Sequence, residues 1–168
     1  MKIGKINSLI IVVSSDRGLC GGLNSNIVKN VKKKIEKLQD ESKNVTLICI
    51  GKKGYDLMSA FNEKLFNFEI KFLTIGEMNY RGTEHLGNKI LDNFYNNKFH
   101  ECYMYYNYFK SVIAQEIKRE TLIPYTIEDK VLNDNDSLNF FEYEPDEEAV
   151  LSKILPKNFI VQMYKAIL

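Results

Sequence analysis

Tryptophan is absent from this 168-residue chain, proline occurs three times and histidine twice. His85 stands at a polar helix-like start and His100 in a loop before a strand-like run. Both read as surface residues, so the material for a nucleophile–base pair or a triad is thin. Cys20, Cys49 and Cys102 are odd in number, widely spaced and form no C-x-x-C pair. Cys49 and Cys102 lie in apolar, strand-like runs. That excludes a disulfide framework, argues against zinc, and points to reduced thiols in a cytosolic setting. An excess of charge of one sign is also missing. The 23 basic and 22 acidic side chains leave a formal charge of +1, so no global field selects for nucleic acid or an anionic membrane. The apolar runs fall far short of the roughly 20 residues that cross a bilayer. The one near the start leads straight into Asp16-Arg17, unlike a secretory signal. Internal repeats and low-complexity tracts are lacking as well.

What is present suits one globular domain with a substantial core: 45% hydrophobic residues, 27% charged, and ten each of Phe and Tyr. The organising stretch is Leu9-Ile10-Ile11-Val12-Val13, followed by Ser14-Ser15-Asp16-Arg17-Gly18-Leu19-Cys20-Gly21-Gly22-Leu23-Asn24. Five consecutive apolar residues, mostly β-branched, predict a strand buried on both faces of a sheet. After the glycine-rich turn the period changes. Ile27, Val28, Val31, Ile35 and Leu38 share one arc of a helix, with lysines around the rest. Asn24 or Ser25 is expected to cap its first turn.

The same alternation continues. Val45–Ile50 predicts a second strand ended by Gly51, residues 54–61 a short helix, and residues 66–75 a third strand with a looser pattern. Residues 76–82 read as a loop, and Leu86, Ile90 and Phe94 as a helix from about Thr83 to Asn97. Residues 101–108 form a fourth, aromatic-rich strand. Alternating strands and helices imply right-handed crossovers and a mostly parallel sheet. Val112 to Pro124 alternates and predicts an antiparallel, half-solvated edge. Asn133–Asn139 is an acidic, turn-rich loop, expected to be flexible. Residues 140–144 form a short strand stopped by Pro145. Two helices, 146–155 and 157–168, are expected on either side of Pro156. The apolar stripe of the last one still runs at Leu168 with no cap, as in a helix that is cut rather than ended. The fold class is therefore α/β: a Rossmann-like, mostly parallel sheet with helices on both faces and an antiparallel edge, in a single three-layer domain.

Each candidate site has an ordinary structural reading beside it. The Gly18-x-x-Gly21-Gly22 turn at a helix N-terminus invites phosphate. It is neither G-x-G-x-x-G nor a Walker A loop, and Gly51-Lys52-Lys53 stands where a ribose-binding acid belongs. A tight turn that lets the helix approach the sheet is the simpler reading. Asp16 at a strand end suggests magnesium but has no second carboxylate to match, so an Asp bonding its own turn or pairing with Arg17 is expected. Cys20 beside the helix N-terminus has no base to activate it. Lysines 29, 32, 33, 34 and 37 read as the solvated arc of an amphipathic helix rather than a nucleic-acid surface.

The residues do carry a likeness. Ser14 to Asn24 resembles the signature turn in the globular domain of the γ subunit of F-type ATP synthases. The resemblance continues through Gly51-Lys52-Lys53-Gly54, Tyr105-Tyr106-Asn107-Tyr108-Phe109 (the family's Y-N-x-F), Tyr143-Glu144-Pro145-Asp146, and Ile154-Leu155-Pro156 on to Gln162-Met163-Tyr164-Lys165-Ala166. It is collinear over nearly the whole chain. What it implies is a noncatalytic central-stalk subunit that couples proton-driven rotation of the membrane ring to ATP synthesis in the β subunits. Its partners would be α, β, ε and the c-ring, with no cofactor, metal, nucleic acid, membrane insertion or substrate of its own. It would sit peripherally on the cytoplasmic face of the membrane. By the same resemblance, Asp16, Arg17, Gly18, Leu19, Cys20, Gly21 and Gly22 meet the lever of β, and Phe141, Tyr143, Glu144 and Pro145 face ε. Residues 1–156 would be the α/β domain and 157–168 the start of the C-terminal shaft helix. The family's N-terminal helix and most of its C-terminal one have no counterpart here, as in a central domain excised from its shaft. The regulatory cysteine pair of chloroplast γ has none either. The competing reading is an anion- or nucleotide-binding regulatory α/β domain using the amides of residues 21–24.

Overall fold

The computed structural model describes residues 6–17, 22–65, 69–111, 115–124 and 147–168, and the strand expected near the start is the middle of its sheet. In chain order the elements are β1 (Asn7–Val13), α1 (Leu23–Asp40), β2 (Asn44–Ile50), α2 (Lys52–Leu65), β3 (Glu69–Leu73), a 3-10 turn (Ile75–Glu77), α3 (Tyr80–Tyr95), β4 (Glu101–Phe109), β5 (Gln115–Ile123) and α4 (Glu147–Ile167). The strands lie in the order β3-β2-β1-β4-β5. The first four are parallel, and β5 closes the β4 side antiparallel, as its alternation predicts.

The doubly buried pattern of β1 has a direct consequence. Leu9, Ile11 and Val13 point into one core with Ile48, Ile50, Leu86, Ile90, Met104, Phe159 and Met163. Ile10 and Val12 point into the other with Ile27, Val31, Ile35, Leu47 and Met58. Helices α1 and α2 thus cover one face and α3 and α4 the other, the three layers expected of right-handed crossovers. Cys49 and Cys102 sit in opposite cores, both as free thiols. Burial pushes the Cys49 thiol up to about 12 and Cys102 higher still, so both stay protonated.

Three local expectations are corrected. Neither Asn24 nor Ser25 caps α1. The N-cap position is Gly22, with no side-chain cap bond, because the buried Asn24 amide turns back to the end of β1. The loop expected at residues 76–82 is instead a 3-10 turn and the start of α3. Thr74 and Glu77 close a capping box on the 3-10 turn, and the Asn79 side chain accepts from the Gly82 amide at 2.8 Å to start α3 early. The two helices expected around Pro156 are one helix, α4, which passes through the proline. An interior proline costs about 3 kcal/mol. Beyond it, Phe159 and Met163 are fully buried against the sheet, and two such side chains supply roughly 1.5–3 kcal/mol each. That is enough to hold the helix through its defect. The loop at 133–139, the strand at 140–144 and residues 112–114 lie outside the described residues.

Gly87 sets how closely α3 and α4 approach, since a Cβ there would stand 2.7 Å from Ile160 Cγ1. Replacing it with valine should cost about 1–3 kcal/mol by overpacking, read as a lower midpoint in denaturant unfolding; an unchanged midpoint would mean that the helices slide apart freely. At the opposite end of the sheet, Glu101 accepts from the Lys43 ammonium and the Ser8 hydroxyl, both at 2.8 Å. Partial burial would raise its pKa, but these bonds outweigh it and hold the carboxyl below its ordinary value. A depressed folded pKa contributes stability above the unfolded value, lost as the pH falls through the folded one. The Glu101→Gln variant should therefore lose part of the midpoint decline seen on acidification below about pH 4.3. Melting curves between pH 7 and pH 3 check this.

Candidate functional site

In open α/β sheets the ligand crevice opens at the carboxyl ends of the strands where the strand order reverses, here β1 against β4. The residues at that end of β1 are Ser14, Ser15 and Asp16, and each is tied to a different part of the chain. The Ser14 amide donates to the Ile50 carbonyl at 2.8 Å. Its hydroxyl donates to the Gly51 carbonyl at 3.2 Å and accepts from the Gly54 amide at 2.9 Å. The Ser15 carbonyl accepts from the Lys53 amide at 3.1 Å. The Asn24 amide group donates to the Ser15 hydroxyl at 3.0 Å, and its oxygen accepts a long bond of 3.5 Å from the Ser15 amide. Asp16 reaches furthest: Oδ1 accepts from the Lys52 amide at 2.9 Å and Oδ2 from the Ile75 amide at 3.1 Å.

This corrects the local reading of Asp16. Its carboxylate is spent on backbone amides 36 and 59 residues away, fastening the start of α2 and the end of β3 to β1. The first amides of α2, at Lys52, Lys53 and Gly54, are the donors that would greet a bound anion. Asp16, Ser15 and Ser14 already occupy them. A fixed internal carboxylate at the positive end of a helix dipole is itself stabilising.

Of the first glycine turn only Gly22 is described, and the close approach among the described residues is at the second turn. A Cβ on Gly22 would meet nothing nearer than Asn26 Nδ2 at 3.8 Å. Gly51 has φ +110°, and a Cβ there would stand 2.1 Å from the Ser14 carbonyl oxygen; at Gly54 it would stand 2.6 Å from Ser14 Oγ. Only glycine lets α2 come this near β1. In the sequence this corner is Gly51-Lys52-Lys53-Gly54, whose glycines serve packing.

The structure brings Asp16, Arg17 and Gly22 to one rim of the sheet. Gly18, Leu19, Cys20 and Gly21, like Phe141, Tyr143, Glu144 and Pro145, lie outside the described residues. His85 is exposed on α3. His100 exchanges bonds with Asn7 at the other end of the sheet, its Nδ1 accepting the Asn7 amide at 3.1 Å. Among the described residues no group of three or more His, Cys, Asp or Glu side chains is arranged to hold a metal ion.

The sequence model of the ATP synthase family matches residues 2–168. The chain belongs to the ATP synthase family. Among its relatives there, the ATP synthase gamma chain of Pelagibacter ubique (strain HTCC1062) is 39% identical over 160 residues, 95% of this chain and 54% of the relative. That of Sinorhizobium medicae (strain WSM419) is 34% identical over the same share of each. The chain thus spans about half the length of these curated relatives. A chain of the Tetrahymena thermophila mitochondrial ATP synthase central stalk and c-ring superposes with a TM-score of 0.66 over 99% of this chain and 70% of its own, at 21% identity. One from the Euglena gracilis mitochondrial ATP synthase rotor gives 0.60 over 96% and 60%, at 17% identity. These two likenesses establish the fold that the ATP synthase family shares with this chain.

Removing the Asp16 carboxylate orphans two backbone amides, one of them partly buried. Asp16→Ala should lower unfolding stability by about 1–3 kcal/mol and Asp16→Asn by less, since asparagine keeps one acceptor oxygen. Urea titration of the three proteins orders them. Equal stabilities would show that water replaces the carboxylate without cost.

Proposed function

We propose that this chain is the globular part of a central-stalk rotor subunit, a noncatalytic γ subunit of a proton-transporting F-type ATP synthase. In that role it passes torque between the membrane ring and the β subunits that make ATP. The observation that carries the reading is the match to gamma chains along 95% of the sequence. On this reading the rim bearing Asp16, Arg17 and Gly22, with residues 18–21, meets the lever of β. Residues 141–145 face ε, and the lower part of the domain rests on the c-ring. Residues 1–156 form the α/β domain, and 157–168, the second half of α4, lead into the C-terminal shaft helix. The subunit is peripheral, at the cytoplasmic face of the membrane; no helix among the described residues is long and apolar enough to cross it.

The physical support is stiffness. A transmitter of torque must not yield, and a sheet close-packed on both faces is of low compliance. The bonds at the end of β1 join three strands and two helices at the rim offered to β. The chain's own groups fill the α2 amides, while the competing reading, at the amides of residues 21–24, is separated by titration.

Two measurements test the proposal. In a pull-down the chain should retain ε, with retention weakened by Tyr143→Ala, and should bind the αβ hexamer poorly without a full shaft. Calorimetric titration with ATP, NAD and inorganic phosphate should give no micromolar binding. Reproducible ATP hydrolysis by the chain alone, or tight nucleotide binding abolished by Gly22→Val, would overturn it.

A further inference from the structure

The lysines of α1 are not a uniformly solvated arc. Lys32 lies 4.0 Å over the Phe61 ring, and Lys34 lies 4.0 Å over the Tyr103 ring, with its stem half-buried. Lys34 opens into a groove of about 360 Å³ between α1 and the β4–β5 edge, lined by Lys33, Lys34, Lys37, Tyr105, Ile117 and Arg119. Arg119 stands opposite Tyr105 in the β4–β5 register, its charge beside the phenol. Burial and then the charges of Arg119 and Lys37 pull the Lys34 pKa down, a sign of cations crowded together. The carboxylates closest in the field, Glu41 and Glu101, are both held by Lys43, at 2.9 and 2.8 Å. Among the described residues no ion pair neutralises Lys33, Lys34, Lys37 or Arg119.

We infer that this groove is a docking surface for an acidic, extended segment of a partner protein. It goes beyond the role proposed above and uses a different surface: at 1.5 Å per residue, Lys34 and Lys37 lie about 16–21 Å along α1 from its start at the Asp16 rim. Charge complementarity sets the chemistry of the occupant. Its geometry follows from spacing. Lys33 and Lys37 are one helical turn apart, about 5–6 Å, while alternate side chains of an extended strand recur at about 6.8 Å. Carboxylates at every second position of an extended segment therefore keep step with the two ammonium groups. The side chain between them would face the Tyr105–Ile117 floor, so an acidic–hydrophobic alternation fits best. Arg119, in the groove lining beside Tyr105, offers a forked donor to a further carboxylate.

The test is fluorescence anisotropy on the 168-residue chain with a labelled hexapeptide alternating glutamate and phenylalanine. A companion peptide carries glutamine in place of each glutamate. Binding of the acidic peptide should weaken with salt and fall about tenfold or more in the Lys34→Gln/Lys37→Gln/Arg119→Gln variant. It should be unchanged in Lys89→Gln on the opposite face. Circular dichroism reports the fold of each variant, and the exposed single substitution Lys37→Glu provides an independent reading of the same loss. Equal affinity in the triple variant, equal affinity for the glutamine peptide, or no binding at millimolar peptide would overturn the inference. Tripolyphosphate and phosphatidylglycerol vesicles form parallel arms. Tighter retention of either than of the peptide, lost in the triple variant, would make the groove a phosphate seat and overturn it equally. None of these outcomes depends on ε retention or nucleotide titration, so the two readings fail separately.

Discussion

The Asp16 carboxylate, shared between the amides of Lys52 and Ile75, is the constraint on which the rim of this domain depends. Parallel strands are held to each other along their length, but their carboxyl ends must hand the chain over to helices on either face. At those corners the backbone donors of a helix start are unpaired by construction. Ser14, Ser15 and Asp16 meet that demand in one continuous run, taking Gly54, Lys53 and Lys52 in turn. Three consecutive residues of β1's exit thereby satisfy three consecutive donors of α2. Asp16 adds the exit of β3, and Ser15 the first turn of α1 through Asn24. The first amides of α2 are thus filled by the chain's own acceptors.

Glycine placement follows from those bonds. Gly51 and Gly54 permit the contact because any Cβ would collide with Ser14. A side chain at either position would push α2 away from β1 and stretch the three bonds together, so the corner's rigidity rests on two absent methyl groups. Gly87 plays the same part on the other face, where α3 meets Ile160 of α4. Close approach on both faces packs two helix pairs and a sheet into one body of low compliance.

Much of this was legible in the sequence. The apolar run of β1, the arc of α1 and the alternation of β5 each follow from side-chain periodicity, which is a local property. Their assembly into a parallel sheet with an antiparallel edge follows from connection rules. What escaped was non-local. No pattern within a few residues of Asp16 says that its partners lie at positions 52 and 75, and turn chemistry at the same residue type pointed to a local bond. Pro156 misled for the same reason. Its local cost is fixed, whereas the burial of Phe159 and Met163 that offsets it becomes visible only once α4 lies on the sheet. Asn24 combined both failures: a good capping residue in the right place, drawn off by a strand end nine residues earlier.

The two ends of α1 therefore carry different physics. At its start the Asn24 side chain is tied back to Ser15, and Gly22 opens the helix without a side-chain cap bond. Near its end, Lys32 and Lys34 lie over aromatic rings, and the nearby carboxylates Glu41 and Glu101 are both engaged by Lys43. Charge at the groove is screened over about 8–10 Å in salt. Since the two regions are separated by more than that length, electrostatics at the groove leaves the rim's internal bonds untouched.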